Sequence, residues 1–594
     1  MEMGISPQQF HKALLSGAVG IINKREELNR INGFPVPDKD TGNNLGFMMQ
    51  HIRKQLLPAS NFKNLLNKLS ELSLIASRGS SGAIFSQYFA GFKRAYTNLE
   101  AEIKEALSLK ELFLMFSEGY INAYQSLQNP REGTILSAMY SFKEGFHHAD
   151  GKGIKFELAS QTAMDKLQQA VEDSSKILPQ QKAMKAPDAG AMAFYYFADG
   201  FLSSLMDKAP VENQTFMDLP EIEENEMIHA GSEPYKYRFC TEVLLDLTDD
   251  KPISEKVKAD LTALGDTLVV SQAGQLARIH LHTNNASKMV DLVENLGVLR
   301  EVKSDDMNMQ QALAQTHPGK IALVTDSIAD VPEELLGPHV YTLPIHLMAN
   351  GVSYQDKRTI SFSRVKKLAG KLTSSQLNLS EIQNFLDPIL KAYEQVLIIT
   401  VSSKMSGIYA RCEEYLVGKN TTAVRLVDSK QNSGAQGLLV LHAARRLQQG
   451  ASLHEIADEL ESLRARTKIL VGLPNLKAMI ASGRLNTRIG NMLQAIGFLP
   501  LVTINRAGEG TITGISFSRD RSDKLMMRKI QKSNVESYAV VHVNDEKRAL
   551  DAARKIEQRI GMKPEYVCDI SSIVANFSGE NSYAVAFIEK EKSK

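Results

Sequence analysis

The apolar residues of this chain change their period part-way along it, and that change limits the fold more than any other feature. In FKNLLNKLSELSLI, residues Phe62, Leu65, Leu66, Leu69 and Leu72 recur at three and four, the spacing of one helical face. Similar patterns flank the glycine segments SRGSSGAIF and NPREGTIL, so the first third reads as helices. Between Val211 and Glu233 stand seven acidic residues and no lysine or arginine, with little periodicity; this reads as a linker. After it YRFCTEVLLDL and QLARIHLHT read as strands, and DKPISEKVKADLTAL and ASKMVDLVENLG as helices, together a small α+β module. A second polar stretch, SDDMNMQQALAQTHPGK, precedes a region where short apolar strands (KIALVTDS, QVLIITVSS, AVRLVDS) alternate with helices.

A chain of 594 residues exceeds one hydrophobic core. The periods therefore predict a multidomain protein: an all-α bundle over 1–207, an acidic linker over 208–233, an α+β domain over 234–312 and an α/β region over 313–594. With 69 basic against 68 acidic side chains, the net charge of +1 offers no electrostatic case for nucleic acid. Cys240, Cys412 and Cys568 are too few and too scattered for a disulfide framework. The start lacks a basic and then apolar leader, and no apolar run reaches membrane-spanning length. A cytoplasmic protein is expected.

Three features carry chemistry. In NGFPVPDKDTGNN, Pro35 and Pro37 stiffen the chain, so Phe34–Asp38 should be extended. Asp38 and Asp40 can then face one point while Lys39 faces away. An apolar run, LGFMM, follows and could open a helix. Two convergent carboxylates at a helix mouth suit a hard cation with phosphate oxygens beyond it; a polar surface turn is the alternative. In RIHLHT, His280 and His282 share a strand face, and Cys240 shares one with Glu242 on another strand. Two imidazoles and a thiolate would fill three positions of a tetrahedral zinc site; a hydrogen-bonded core pair of histidines is the alternative. Finally, three strands of the last region end in polar residues: Thr325-Asp326-Ser327, Ser402-Ser403 and Asp428-Ser429. Ligands of open α/β sheets lie beyond such ends, so a shared pocket mouth is expected there.

NGFPVPDKDTGNNL, with ASRGSSGAIFSQ, NPREGTILSA and APDAGAMAF in order, resembles the metal-binding signature of the DhaL-type ATP-binding domain of dihydroxyacetone kinase, in the form seen in bacterial fatty acid kinase. FCTEV and HLHTN resemble the middle domain of the same kinase. VTDSIADVP, LTSSQLNLSE, VSSKMSGIY, VDSKQNSGAQG and IASGRL resemble the DegV family of fatty-acid-binding proteins. The resemblance implies ATP and Mg²⁺ as cofactors, with Asp38 and Asp40 as metal ligands and Asn32 as a third candidate. Thr41, Asn44, Ser80, Ser81, Gly82, Thr134 and Asp188 would form the nucleotide pocket, although Thr134 and Asp188 are equally good helix caps. Cys240, His280 and His282 remain the candidate zinc ligands. Ser374 and Ser406 would bind a fatty acid carboxylate, with Arg484 nearby. The sequence departs from these families at Lys39, where glycine is usual, at Ser80, where asparagine is usual, and at Asn576, where histidine is usual.

Three functions follow as expectations. One is ATP-dependent phosphorylation of a bound fatty acid to acyl phosphate, for use by a downstream acyltransferase, within the chain or across a homodimer. The second is a lipid-binding or sensing protein with a degenerate kinase domain. The third is a dihydroxyacetone-like small-molecule kinase.

Overall fold

The computed structural model describes residues 4–33, 40–99, 106–147, 155–208, 234–368, 371–419, 423–481 and 487–591. The chain divides into two compact units, Met1–Ala312 and Leu313–Lys594.

The first unit begins with helices α1 (Pro7–Asn23), α2 (Arg25–Arg30), α3 (Thr41–Gln55), α4 (Phe62–Ala76) and α5 (Gly79–Leu99). It continues with α6 (Leu109–Gln125), α7 (Ile135–His147), α8 (Phe156–Ile177), α9 (Pro179–Met184) and α10 (Ala189–Leu205). Local chemistry marks their starts: Ser6 with Gln9 and Ser108 with Glu111 form reciprocal caps on α1 and α6, and Asn61 caps α4. Helix α10 has no polar face, and 14 of its 17 residues are buried. A helix apolar all round belongs inside, and Phe194, Phe197 and Phe201 of α10 meet Phe85, Phe89, Phe116 and Phe142 edge-on or tilted.

The same unit carries strands β1 (Phe239–Leu247), β2 (Gly265–Ala273), β3 (Leu276–Thr283) and β4 (Gly297–Asp306), with α11 (Glu255–Thr262) after β1 and α12 (Ala286–Val293) after β3. They pair antiparallel in the order β2-β3-β1-β4, a β-α-β-β-α-β arrangement. Helices α11 and α12 cover one face, and α4 and α5 pack on β2 and β3. With cover on both faces, all eight residues of β3 are buried. The second polar stretch completes β4 and forms helix α13 (Met307–Leu313), where Asp306 accepts a hydrogen bond from the N–H of Met309. The acidic segment 209–233 lies outside the described residues.

The second unit holds a parallel sheet ordered Val424–Asp428, Gln395–Thr400, Ile321–Asp326, Val340–Leu343. A six-stranded sheet centres on Thr467–Gly472 and Tyr583–Glu589, and a three-stranded one joins Val352–Gln355, His346–Ala349 and Thr373–Ser375. Helix Ser433–Gln448 packs on both larger sheets and buries 11 of its 16 residues. No helix among the described residues is long and apolar enough to cross a membrane.

Candidate functional site

In the first unit, a small cleft of 50 Å³ brings helix termini against the strand face that carries the histidines. Asn32, Asp40, Thr41 and Asn44 form one side. Asp40 immediately precedes α3, and Thr41 donates its hydroxyl to Asn32 Oδ1 at 3.0 Å. A carboxylate, an amide oxygen and a hydroxyl are the hard donors that suit Mg²⁺ together with phosphate. Asp38 and Lys39, as well as the extended run from Phe34, lie outside the described residues.

Ser80 and Ser81 also line the cleft. The GSSG segment is the first turn of α5. The N–H groups of a first turn lack carbonyl partners within the helix, and those of this turn meet different fates. Gly79 donates to Glu242 Oε1 at 2.7 Å and Gly82 to the Arg78 carbonyl at 3.2 Å, whereas those of Ser80 and Ser81 have no hydrogen-bond partner among the described residues. Two such donors at the positive end of a 21-residue helix are groups that suit an anion. Gly82 itself is buried and does not line the cleft.

The β-sheet supplies the other side, and its register explains why. Cys240 lies opposite His282 on β3 and Asp305 on β4; Glu242 lies opposite His280 and Lys303. The ligand atoms of Cys240, His280 and His282 lie within 4.8 Å of one another, with Cys240 Sγ 3.8 Å from His280 Nδ1. Tetrahedral zinc separates such ligands by roughly 3.3–3.8 Å; the donor types suit it, and the spread of up to 4.8 Å is wider than that spacing. Burial, then the charges of Glu242 and Asp305, pushes the Cys240 thiol well up; a cation there would supply the charge a thiolate needs. Burial lowers His282 despite Asp266 at 3.5 Å. Burial works against the charge on Glu242, but the hydrogen bond from His280 and the charges of His280, Arg278 and Lys303 outweigh it and hold Glu242 at about 2.

The remaining members of this face were not singled out from sequence. Lys303 lines the cleft and pairs with Asp305 at 2.5 Å; burial opposes its charge, but Asp305 and Glu242 more than offset that. Arg278 donates to Glu242, to Glu301 and to the Leu74 and Ile75 carbonyls that end α4. The signal was available: Arg278 shares the period-two face of His280 and His282, and Lys303 that of Asp305.

Thr134 and Asp188 do not line this cleft. Thr134 Oγ1 donates to the Arg131 carbonyl and accepts from Leu136 at the start of α7. Asp188 caps α10 through the N–H of Ala191 at 2.8 Å. Burial raises its carboxyl to about 6, partly offset by the N–H groups of Ala191, Ile135 and Gly190. Both residues take the capping role that their type allows, and Ile135 brings the two caps side by side.

In the second unit, a cavity of 610 Å³ is lined by apolar side chains, among them Ile328, Ile345, Val401, Leu473 and Ile573, together with polar ones. Ser374 and Ser406 both line it; Arg484 lies outside the described residues. Lys404 and Arg411 are cations on the lining that sequence reading missed. Asn576 is buried, with its amide toward the Leu372 carbonyl, and the next two residues, Phe577 and Ser578, line the cavity in its place. The three polar strand ends do lie side by side, but they bond inward. Asp326 accepts from the N–H of Val401 at 2.6 Å, and Ser403 donates to Asp428. The segments just beyond them, Ile328 and Lys404 to Ser406, reach the cavity. One wall, helix Ser572–Ser578, is tied down by buried carboxylates: Asp330 accepts from Ser571 N–H and Asp356 from Ser572 N–H, with Lys357 3.0 Å from Asp330.

Residues 35–203 match the DAK2 domain, residues 236–313 the FakA-like middle domain of fatty acid kinase, and residues 320–590 the DegV family of uncharacterised proteins. Uncharacterized protein MG369 of Mycoplasma genitalium is 26% identical over 353 residues, 57% of this chain and 63% of that protein. Protein YloV of Bacillus subtilis is 26% identical over 311 residues, 51% and 55% of the two. The chain thus spans less than two thirds of the length of these curated relatives. A DegV family protein from Thermus thermophilus, described for its fatty acid binding, superposes with a TM-score of 0.40 at 22% identity, covering 46% of this chain and all of that one. The fatty-acid-binding DegV family protein SAG1342 of Streptococcus agalactiae gives 0.41 at 20% identity, covering 46% and 99%. In order along its length, this chain joins a DAK2 domain, a FakA-like middle domain and a DegV family domain.

Proposed function

We propose that this protein uses ATP to phosphorylate a bound fatty acid, giving an acyl phosphate, with the phosphoryl-transfer and acyl-binding parts on one polypeptide. The observation that carries the reading is the cleft of the first unit, which is lined both by Asp40 and by Ser80 and Ser81 with their unspent N–H groups. Phosphoryl transfer asks of a protein mainly positioning and charge neutralisation, and those are the groups collected there. Magnesium, when bound, supplies the neutralising charge; Asp40 with Asn32 and Thr41 would hold it, and Asp38 is proposed as the second carboxylate. Cys240, His280 and His282 would hold zinc.

The acceptor needs no general base. A fatty acid is ionised at neutral pH, so its carboxylate oxygen attacks the γ-phosphorus directly. The new O–P bond forms as the bond to the β,γ-bridging oxygen breaks, and ADP leaves. The 610 Å³ cavity supports an acyl chain as the buried part of that acceptor, since each buried CH₂ contributes roughly 0.8 kcal/mol. Ser374 and Ser406 would donate to the carboxylate, and Lys404 or Arg411 would balance its charge. The product is an activated acyl group, so an acyltransferase is the expected consumer, and a cytoplasmic location with access to ATP belongs to the same reading.

The test is mass spectrometry of the purified protein, followed by hydroxylamine trapping with ATP and Mg²⁺. Bound long-chain acid and an acyl hydroxamate are expected. Bound acid without hydroxamate overturns the kinase reading in favour of a lipid-binding or sensing protein, the reading that Lys39, Ser80 and Asn576 favour. Phosphorylation of a triose with no bound acid would indicate the small-molecule kinase. Mixing an Asp40→Ala chain with a Ser406→Ala chain, at an acid concentration too low to fill the weakened site of the second, separates transfer within a chain from transfer across a homodimer, because only the latter restores product.

A further inference from the structure

The turn between α4 and α5 is held from both sides by two side chains of the β-sheet. Arg278 bonds the carbonyls of Leu74 and Ile75 at 3.1 and 2.8 Å, where α4 ends. Glu242 Oε1 accepts the N–H of Gly79 at 2.7 Å, where α5 begins. The two clamps are joined, because Arg278 also donates to Glu242 Oε2 at 3.2 Å. Glu242 and Arg278 are 4% and 3% exposed, so neither bond competes with bulk water. The same Oε1 that holds Gly79 lies 3.2 Å from His280 Nδ1, and the far nitrogen of that ring, Nε2, lies 3.4 Å from Ser80 Oγ. One carboxylate therefore touches both the thiol–imidazole cluster and the helix end with the unspent N–H groups.

We propose that Glu242 is a positioning residue that couples a transition-metal cation at Cys240, His280 and His282 to a nucleotide at the N-terminus of α5, each strengthening the binding of the other. The inference rests on the reading of that helix end as a phosphate site. The sign follows from the charges around the cleft. Among the described residues, Asp40, Glu242 and Asp305 bring three carboxylates to it against the ammonium of Lys303 and the Arg278 guanidinium paired with Glu242, a field that opposes a polyphosphate. A divalent cation held through His280 Nε2 offsets that field and leaves the Nδ1–H to donate to Glu242, the acceptor that sets the position of Gly79 and hence of Ser80 and Ser81. Coupling between sites is reciprocal and commonly about 5- to 150-fold; with one shared carboxylate, about tenfold is expected.

The experiment uses the whole protein, freed of transition metals by chelation. Affinity for a non-hydrolysable ATP analogue with Mg²⁺ is measured calorimetrically with and without one equivalent of zinc. Zinc affinity is measured by competition with a chromophoric chelator, with and without the analogue. The wild type should show the same factor, about tenfold, in both directions. Glu242→Gln should bring that factor to within about twofold of one, while each ligand alone still binds. A wild-type factor within twofold of one overturns the proposal without any variant, and so does full coupling in Glu242→Gln. Absence of analogue binding in every state overturns the phosphate-site reading itself, and the coupling with it.

Discussion

Adding one methyl group at either end of the segment Gly79–Gly82 should have opposite effects. Gly79 has φ +61°, and a Cβ built on it would lie 2.8 Å from the Asn44 side-chain nitrogen. Left-handed backbone costs an L-residue about 1–2 kcal/mol, and the displaced Asn44 amide adds to that, so Gly79→Ala should destabilise the first unit by about 1–3 kcal/mol. Gly82 sits inside the same helical turn without a positive φ, and its added Cβ would meet Ser77 at 3.4 Å, ordinary contact. There the lower backbone entropy of alanine should stabilise by about 0.5–1 kcal/mol. Each kcal/mol moves a melting midpoint by about 2–4 °C in a domain of 150–250 residues, well within scanning calorimetry. Nucleotide affinity should follow the N–H groups: Gly79→Ala displaces those of Ser80 and Ser81 and should weaken binding about tenfold. Gly82→Ala should leave it within about twofold, since the Gly82 N–H is spent on Arg78. A Gly79→Ala protein that melts and binds like the wild type would refute the reasoning, as would a Gly82→Ala protein that loses stability.

Cys240→Ala should abolish stoichiometric zinc retention, measured by plasma mass spectrometry after dialysis. Ser374→Ala and Ser406→Ala should each weaken retention of a fatty acid about 10- to 100-fold, the loss of one hydrogen bond to a charged group, read by competition with a fluorescent acid; unchanged affinity in both would remove them from the carboxylate site. Burial raises Asp326 to about 6, so its protonated form is favoured by folding. Its contribution is fully present below about pH 4 and is lost as pH rises through about 6, a change of about 3 kcal/mol. Denaturant unfolding should therefore show the stability advantage of wild type over Asp326→Asn shrinking by about that amount between pH 4 and pH 7. A constant difference would mean that this carboxyl is not desolvated.

The sequence alone carried the architecture, because hydrophobic period is a local property. The three-and-four spacing of Phe62 to Leu72 became α4, and the alternation in FCTEV and RIHLHT became β1 and β3. The same alternation was enough to place Cys240, His280 and His282 on faces that could meet, since side chains two apart on a strand share a side. It was silent on which of several eligible residues a site would recruit. Thr134 and Asp188 could cap a helix or contact a nucleotide, and the structure shows each of them capping a helix, α7 and α10. The hydrogen bond from Gly79 to Glu242 joins residues 163 apart in the chain.

Arg278 reaches Leu74 across 204 residues. Such contacts depend on how separate elements pack, and packing is set by the summed burial of many side chains, none of which announces its distant partner. Residue type and spacing thus determined what this chain could bind, and tertiary structure decided which of those groups stand together and which are spent holding the fold.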